Sequence, residues 1–152
     1  THVDASKKAI AQAFENRNFC GLQDAPIRFI TDDAKGFVSR EIRRQRAYDG
    51  VIMDPPKYGR GPNGENWCIE EDLRPLLAQA AGLLSGDAMF LVLTIYAIRA
   101  SSLAAHFALM DALKDRPGFI EAGELAIEET ALPGRNTRRF ISQANFARWL
   151  AS

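Results

Sequence analysis

YDGVIMDPPKYG, residues 48–59, contains the most specific motif of this 152-residue chain. Its apolar run, Gly50–Met53, predicts a short strand, which Asp54-Pro55-Pro56 ends because two consecutive prolines cannot continue a hydrogen-bonded ladder. The following segment, Lys57–Trp67, contains three glycines and a proline and is predicted to be a loop. The Asp-Pro-Pro turn is rigid, and its carboxylate and carbonyl oxygens can hold an amino group or a planar base. A plain strand breaker is the alternative.

Strand-like and helical patterns alternate on both sides of this motif. Strands are predicted at Thr1–Asp4, Ile27–Thr31, Gly50–Met53 and Ala88–Thr94. Helices are predicted at Ser6–Asn16, where Ser6 offers an N-cap hydroxyl, around Phe37 and Ile42, at about Glu70–Leu84, and from Leu103 to Leu113. The chain then ends in two longer β-like runs, Phe119–Glu129 and Thr137–Trp149. This order predicts an α/β fold, a parallel sheet with helices on both faces and an antiparallel strand pair at the end.

The composition is that of an ordinary globular domain. The chain is 47% hydrophobic and 25% charged, which excludes a mainly disordered chain. No apolar run approaches the roughly 18 residues of a membrane span, and no membrane partner is expected. Nineteen basic residues balance nineteen acidic ones, which argues against a DNA-coating protein but allows a local basic patch. The two cysteines match neither a zinc pattern nor a redox motif, so a reducing cytoplasmic setting without a metal is expected.

The predicted strand ends carry acidic residues, and in open α/β sheets ligands bind at the carboxyl ends of strands. A carboxylate can accept hydrogen bonds from both hydroxyls of a ribose, which suits Asp4. A cap on the following helix is the alternative for that residue. Asp33 could accept from the exocyclic amine of an adenine, with the Ala34 amide nearby. Here too a helix cap is the alternative, and Asp32 competes for either role.

Three segments together resemble class I S-adenosylmethionine-dependent methyltransferases: Val3–Ser6, Thr31–Ala34 and Tyr48–Lys57. The resemblance covers nearly the whole chain in order and spacing. It is closest to the subgroup that contains the 23S ribosomal RNA cytosine methyltransferases. It implies S-adenosylmethionine as the cofactor, RNA as a partner in ribosomal RNA processing, and a three-layer Rossmann-like sheet, mostly parallel, with an antiparallel strand pair at its end.

The resemblance also implies roles for individual residues. Asp4, with Ala5, corresponds to the family's acid that binds the cofactor ribose. Asp33, with Ala34, corresponds to its adenine contact. The family's catalytic motif, which faces the methyl donor and the substrate, corresponds here to Asp54, Pro55, Pro56 and Lys57, and Asp54 is also counted among the cofactor contacts.

Two features depart from the family pattern. The glycine-rich loop after the family's first strand is absent, and that strand would lie between the strands that end at Asp4 and Asp54. Residues 1–152 are therefore expected to be the C-terminal portion of a single methyltransferase domain, with the first strand and any RNA-binding domain upstream. The cysteine nucleophile of carbon-5 cytosine methylation is also missing. Cys68 is not at the expected place and is better interpreted as a small buried or partly buried thiol.

The predicted substrate contacts lie on the rim of the site. Tyr58 and Tyr96 could stack on an unpaired base, or pack within the protein. Arg60, Arg99 and Lys57 could meet phosphate. The arginines of residues 40–46 are interpreted as a solvated helix face.

Methyl transfer to an RNA base is the predicted function. A small-molecule or protein methyltransferase and a degenerate, non-catalytic module are the alternatives. A Rossmann dehydrogenase is disfavoured because Asp-Pro-Pro has no role there. A homodimer is compatible with the sequence, which leaves the acceptor atom open.

Overall fold

The computed structural model describes residues 1–96, 98–130 and 139–152. Its strands are β1 His2–Asp4, β2 Phe29–Thr31, β3 Gly50–Met53, β4 Tyr58–Arg60, β5 Asn66–Cys68, β6 Phe90–Ile95, β7 Phe119–Glu128 and β8 Phe140–Leu150. Its helices are α1 Lys7–Phe19, α2 Ala34–Arg43, α3 Ile69–Gly82 and α4 Ser102–Ala112. The alternation of strands and helices is confirmed, and the predicted start of the last strand at Thr137 lies outside the described residues.

The largest sheet has the strand order β3-β6-β8-β7. β3 runs parallel to β6, whereas β8 is antiparallel to both β6 and β7. The C-terminal antiparallel pair is therefore confirmed, with the last strand lying inside the sheet. The sheet is mixed rather than mostly parallel, because β8 is antiparallel to both of its neighbours and only β3 and β6 form a parallel pair.

Two smaller sheets complete the β structure that is described. β1 and β2 form a parallel pair, in which Asp4 lies opposite Thr31. β4 and β5 form an antiparallel hairpin, which corrects the prediction that Lys57–Trp67 is a loop throughout. The glycines mark only its turn, where the Gly61 amide donates to the Glu65 carbonyl at 2.8 Å. Strands of three residues are too short to show a period of two in the sequence.

The hydrophobic core lies between the large sheet and helices α3 and α4. Every second side chain of β6 is buried: Leu91, Leu93 and Ile95 are at most 2% exposed. Leu77 of α3 and Leu109 of α4 are buried in the same cluster. The alternate side chains of β6 are half-buried, so only one face of this strand is fully covered.

The helix starts are fixed by short polar side chains. Ser6 caps α1 and accepts from the Ala9 amide at 3.2 Å, as the sequence predicts. Asp33 caps α2 in the same way. In the described part of the chain, no helix is long and apolar enough to cross a membrane.

Candidate functional site

One cavity of about 500 Å³ collects most of the predicted site residues. It lies where β1, β2 and β3 end, and its walls include residues from all three predicted motifs. The predicted residues that line it are Asp4, Ala5, Asp33, Ala34, Asp54, Pro55, Pro56 and Arg60. Lys57, Tyr58, Tyr96 and Arg99 are not among its lining residues. The fold thus brings together the cofactor candidates from separate stretches of sequence, and it leaves most of the substrate candidates on the outside.

Asp4 is half-buried at the end of β1, and its two carboxylate oxygens differ. Oδ1 accepts from the Ser6 amide at 2.7 Å, just before α1 begins. Among the described residues, no hydrogen bond reaches Oδ2. The cap of α1 is Ser6 and not Asp4, so the capping alternative is wrong for Asp4. Asp4 holds the amide of the cap residue with one oxygen, and its other oxygen is free to accept from a ligand hydroxyl.

Asp32 and Asp33 differ in their hydrogen-bond partners. Asp32 accepts from the Asp33 amide at 2.9 Å through Oδ1 and forms an ion pair with Arg40 through Oδ2, so both of its oxygens are occupied. Asp33 uses Oδ2 to cap α2 at the Gly36 amide, at 2.8 Å. Its Oδ1 has no hydrogen-bond partner in the part of the chain that is described. Of the two acids, Asp33 is therefore the one with an oxygen that no described protein group binds, which favours it as the ligand contact.

The Asp-Pro-Pro turn is held by its neighbours. The Asp54 side chain is exposed and accepts from the Thr94 hydroxyl at the end of β6. Pro55 is buried. The indole Nε1 of Trp67 donates to the Pro56 carbonyl oxygen at 2.6 Å. The sequence analysis assigned no role to Thr94 or Trp67. The one sequence feature that could have drawn attention to them is that Trp67 is a tryptophan in a glycine-rich segment.

The rim residues differ in exposure. The Tyr58 side chain is 64% exposed, and the Lys57 ammonium lies 5.2 Å from the centroid of its ring. This exposure disfavours the alternative that Tyr58 is a packing residue. Tyr96 is 38% exposed and Arg99 is exposed, both on the segment after β6 and away from the cavity walls. Arg60 alone among the predicted substrate contacts lines the cavity.

Cys68 does not have the environment of a nucleophile. Its Sγ lies 3.1 Å from a carboxylate oxygen of Glu70. That hydrogen bond, followed by burial, raises the pKa of the Cys68 thiol and so disfavours the reactive thiolate. The described residues contain no cluster of three metal-ligating side chains.

A buried carboxylate behind the cavity was not anticipated. Glu41 of α2 is 2% exposed, accepts from the Tyr48 hydroxyl at 2.6 Å and pairs with Arg44 at 3.2 Å. The hydrogen bond from Tyr48 is the main cause that lowers the pKa of Glu41, against the opposing effect of burial. Burial likewise raises the pKa of Tyr48, which lines the cavity. The helix face that was interpreted as solvated therefore also forms ion pairs: Arg40 binds Asp32, and Arg44 binds Glu41.

Solved structures similar to this chain provide the comparison with known proteins. Neither a family model nor a curated protein matches it. The SAM-dependent methyltransferase from Agrobacterium tumefaciens is 44% identical over 99% of this chain, with a TM-score of 0.93. A proposed methyltransferase in complex with SAH is 18% identical over 97% of this chain, with a TM-score of 0.62, and 38% of that protein is covered.

A precorrin 8W decarboxylase from Methanobacterium thermoautotrophicum has a TM-score of 0.60 and 17% identity, with 99% of this chain and 67% of that protein covered. At such identities the likeness concerns the fold alone. The chain spans 48% of the length of the Agrobacterium protein.

Proposed function

We propose that this chain, which belongs to the S-adenosylmethionine-dependent methyltransferases, takes part in the transfer of a methyl group to a base of RNA. The 44% identity to the Agrobacterium protein confirms the predicted class and its cofactor. The observation that carries the proposal is the convergence of Asp4, Asp33 and Asp54 on one cavity. We assign the RNA substrate to ribosomal RNA, following the resemblance to the 23S subgroup.

The adenosine part of S-adenosylmethionine fits the acids at the ends of β1 and β2. Asp4 Oδ2 and Asp33 Oδ1 have no protein partner among the described residues, and both acids line the cavity. Ribose hydroxyls and an adenine amine are neutral donors, and a carboxylate forms charge-assisted hydrogen bonds with them. Ala5 and Ala34, the neighbours of the two acids, leave room for the ligand beside them.

The acceptor end is the Asp-Pro-Pro turn. S-adenosylmethionine supplies an activated methyl group, so alignment of the acceptor accounts for much of the rate. Asp54 orients an acceptor amine, and the fixed backbone of Pro55-Pro56 sets the plane of the base. The exposed ring of Tyr58 offers a stacking surface, and Lys57 and Arg60 offer charge to phosphate.

The cavity also supports the proposal that a strand is supplied by another part of the protein. Val3 of β1 and Val51 of β3 line the same cavity, although β1 and β3 belong to different sheets. A strand between them would pair both edges and occupy the part of the cavity beside Val3 and Val51, which leaves the part at Asp4, Asp33 and Asp54 for the cofactor. Unpaired backbone groups buried in such a gap are costly. We propose that this strand, with the glycine-rich loop, completes the three-layer methyltransferase domain to which residues 1–152 contribute the C-terminal portion.

Two observations favour the RNA proposal over its alternatives. The exposed aromatic ring of Tyr58 beside Lys57 and Arg60 suits a nucleotide better than an apolar small molecule. The hydrogen bond that the Asp54 carboxylate accepts from Thr94 keeps the motif ordered, which does not suit a degenerate module. A small molecule or a protein remains the alternative acceptor.

The test uses the full-length protein with S-adenosylmethionine labelled in its methyl group and total cellular RNA. Asp54→Asn should abolish label transfer while sparing S-adenosylhomocysteine binding in calorimetry. Asp4→Asn should weaken that binding by about 10- to 100-fold, the equivalent of hydrogen bonds to a charged group. Asp111→Asn, on the surface of α4, is the matched control and should change neither. Label in protein or small molecules instead of RNA contradicts the substrate class, and full turnover by Asp54→Asn contradicts the site.

A further inference from the structure

We infer that Trp67 is a positioning residue, which holds the Asp54-Pro55-Pro56 turn in the orientation that methyl transfer requires. The inference rests on the proposed function and adds a residue to it that no sequence motif marks. Its basis is the hydrogen bond from the Trp67 indole to the Pro56 carbonyl oxygen, at 2.6 Å.

The turn needs an external support because of its own composition. Pro55 and Pro56 lack an amide hydrogen, so neither can donate a backbone hydrogen bond to fix the turn. Carbonyl oxygens are the groups by which it can be held. The Pro56 carbonyl accepts from Trp67, and the Lys57 carbonyl accepts from the Ile69 amide at 3.0 Å. Indole has a single donor, and Trp67 uses it here.

Trp67 is placed between the cavity and the core. It lies opposite Gly59 in the β4–β5 hairpin, lines the cavity and packs against the core cluster. A Cβ built at Gly59 would lie 3.5 Å from Cγ of Pro56 and 3.8 Å from Cβ of Trp67. Pro56 and Trp67 therefore both flank Gly59 in the hairpin. A movement of the tryptophan would move the Pro56 carbonyl with it.

Both chain neighbours of Trp67 are held as well. The Asn66 carbonyl accepts from Lys35 Nζ at 3.1 Å, and the Cys68 amide donates to Asp72 Oδ2 at 2.8 Å. Lys35 and Asp72 form an ion pair at 3.0 Å. Lys35 directly follows Asp33 and Ala34, the residues proposed to contact adenine. The strand that carries Trp67 is thus tied to the cofactor side of the site, while its indole is tied to the acceptor side.

Trp67→Phe removes the donor and keeps an aromatic ring. In the full-length protein, kcat for label transfer to RNA should fall by about 10- to 100-fold, because a displacement of about 1 Å can cost as much. The affinity for S-adenosylhomocysteine should stay within about twofold, which also shows that the variant is folded. Trp149→Phe is the matched control. Its Nε1 is buried without a partner in the described structure, so that variant loses no hydrogen bond and should keep kcat.

A second measurement is independent of turnover. In nuclear magnetic resonance spectra, Trp67→Phe should shift the amide signals of Asp54 and Lys57 and leave that of Asp4 in place, whereas Trp149→Phe should move none of them. Unchanged kcat, a parallel loss of cofactor affinity, or unmoved Asp54 and Lys57 signals would each overturn the inference. If the wild-type protein labels no RNA, the substrate proposal fails, and the amide shifts still decide the role of Trp67.

Discussion

The two halves of the molecule are stabilised in different ways. Apart from Pro55, the buried hydrophobic residues of the described structure lie between Ile69 and Trp149, on α3, β6, α4, β8 and the segments that join them. Helix α1 contains no buried residue, and β1 and β2 are strands of three residues in a separate sheet. The half that carries Asp4 and Asp33 therefore has little apolar burial of its own, whereas the half from α3 onward has a closed core.

This difference places the proposed catalytic motif at the boundary between the two halves. Asp54 follows β3, an edge strand of the large sheet, and faces the cavity shared with β1 and β2. A ligand in that cavity contacts both halves, and any molecule that binds only the folded state stabilises it. The half with the closed core can thus fix the proposed acceptor turn, while the half that carries Asp4 and Asp33 depends on polar contacts and on what occupies the cavity.

The largest effect that tests this comparison is the loss of a core side chain. Leu109 is 0% exposed in the core cluster, so Leu109→Ala should lower the free energy of unfolding by about 2–5 kcal/mol. Phe14→Ala is the counterpart in α1, where the ring is 45% exposed and packs edge-on against Phe29; about 1 kcal/mol is expected there. Urea titrations of the full-length protein measure both. Equal losses would remove the distinction between the halves.

The sequence predicts those features that depend on local pattern. The bounds of β3 were predicted residue by residue, because an apolar run stops at two prolines. The Ser6 cap and the C-terminal hairpin followed from the same kind of signal. The gathering of Asp4 and Asp33 at one cavity was also expected, since it follows from the parallel order of β1 and β2.

Contacts between distant residues could not be predicted. The hydrogen bond from Trp67 to Pro56 depends on a hairpin whose strands are too short for a period to be seen. The burial of Glu41 depends on Tyr48, seven residues further along the chain, and nothing in an arginine-rich helix marks one acid as internal. Whether Asp33 caps a helix or faces the cavity was an open choice in the sequence. In the structure it does both, because a carboxylate has two oxygens.

Acid should weaken the contacts of Glu41, in the half that carries Asp4 and Asp33. The hydrogen bond from Tyr48 lowers the pKa of Glu41, so its contribution is complete above the ordinary glutamate pKa and is lost as the pH falls through the lower folded value. At pH ~7, Glu41→Gln should cost about 1.5–3 kcal/mol, the range for hydrogen bonds to a charged group. As the pH falls below the ordinary glutamate pKa, the difference in the free energy of unfolding between wild type and variant should shrink in urea titrations, and it should vanish below the lower folded pKa. A difference that is constant with pH would contradict this assignment.

The smallest effect concerns the ion pair that joins the two halves. Lys35 and Asp72 are 34% and 24% exposed, whereas Arg74 and Asp111, a pair within the stable half, are 79% and 58% exposed. A double-mutant cycle should give about 0.5–1 kcal/mol for the first pair and close to zero for the second, because solvent screens exposed charges.

The two cycles also separate linkage between the halves from charge alone. Asp72 additionally accepts from the Cys68 amide, which with Lys35 lowers the pKa of its carboxyl. Removal of Lys35 should therefore loosen β5 as well as the ion pair, and amide exchange at Cys68 should become faster. A larger coupling energy for the Arg74–Asp111 pair would contradict a link between the halves at Lys35. The half that carries Asp4 and Asp33 would then have to be joined to the core through β3 instead.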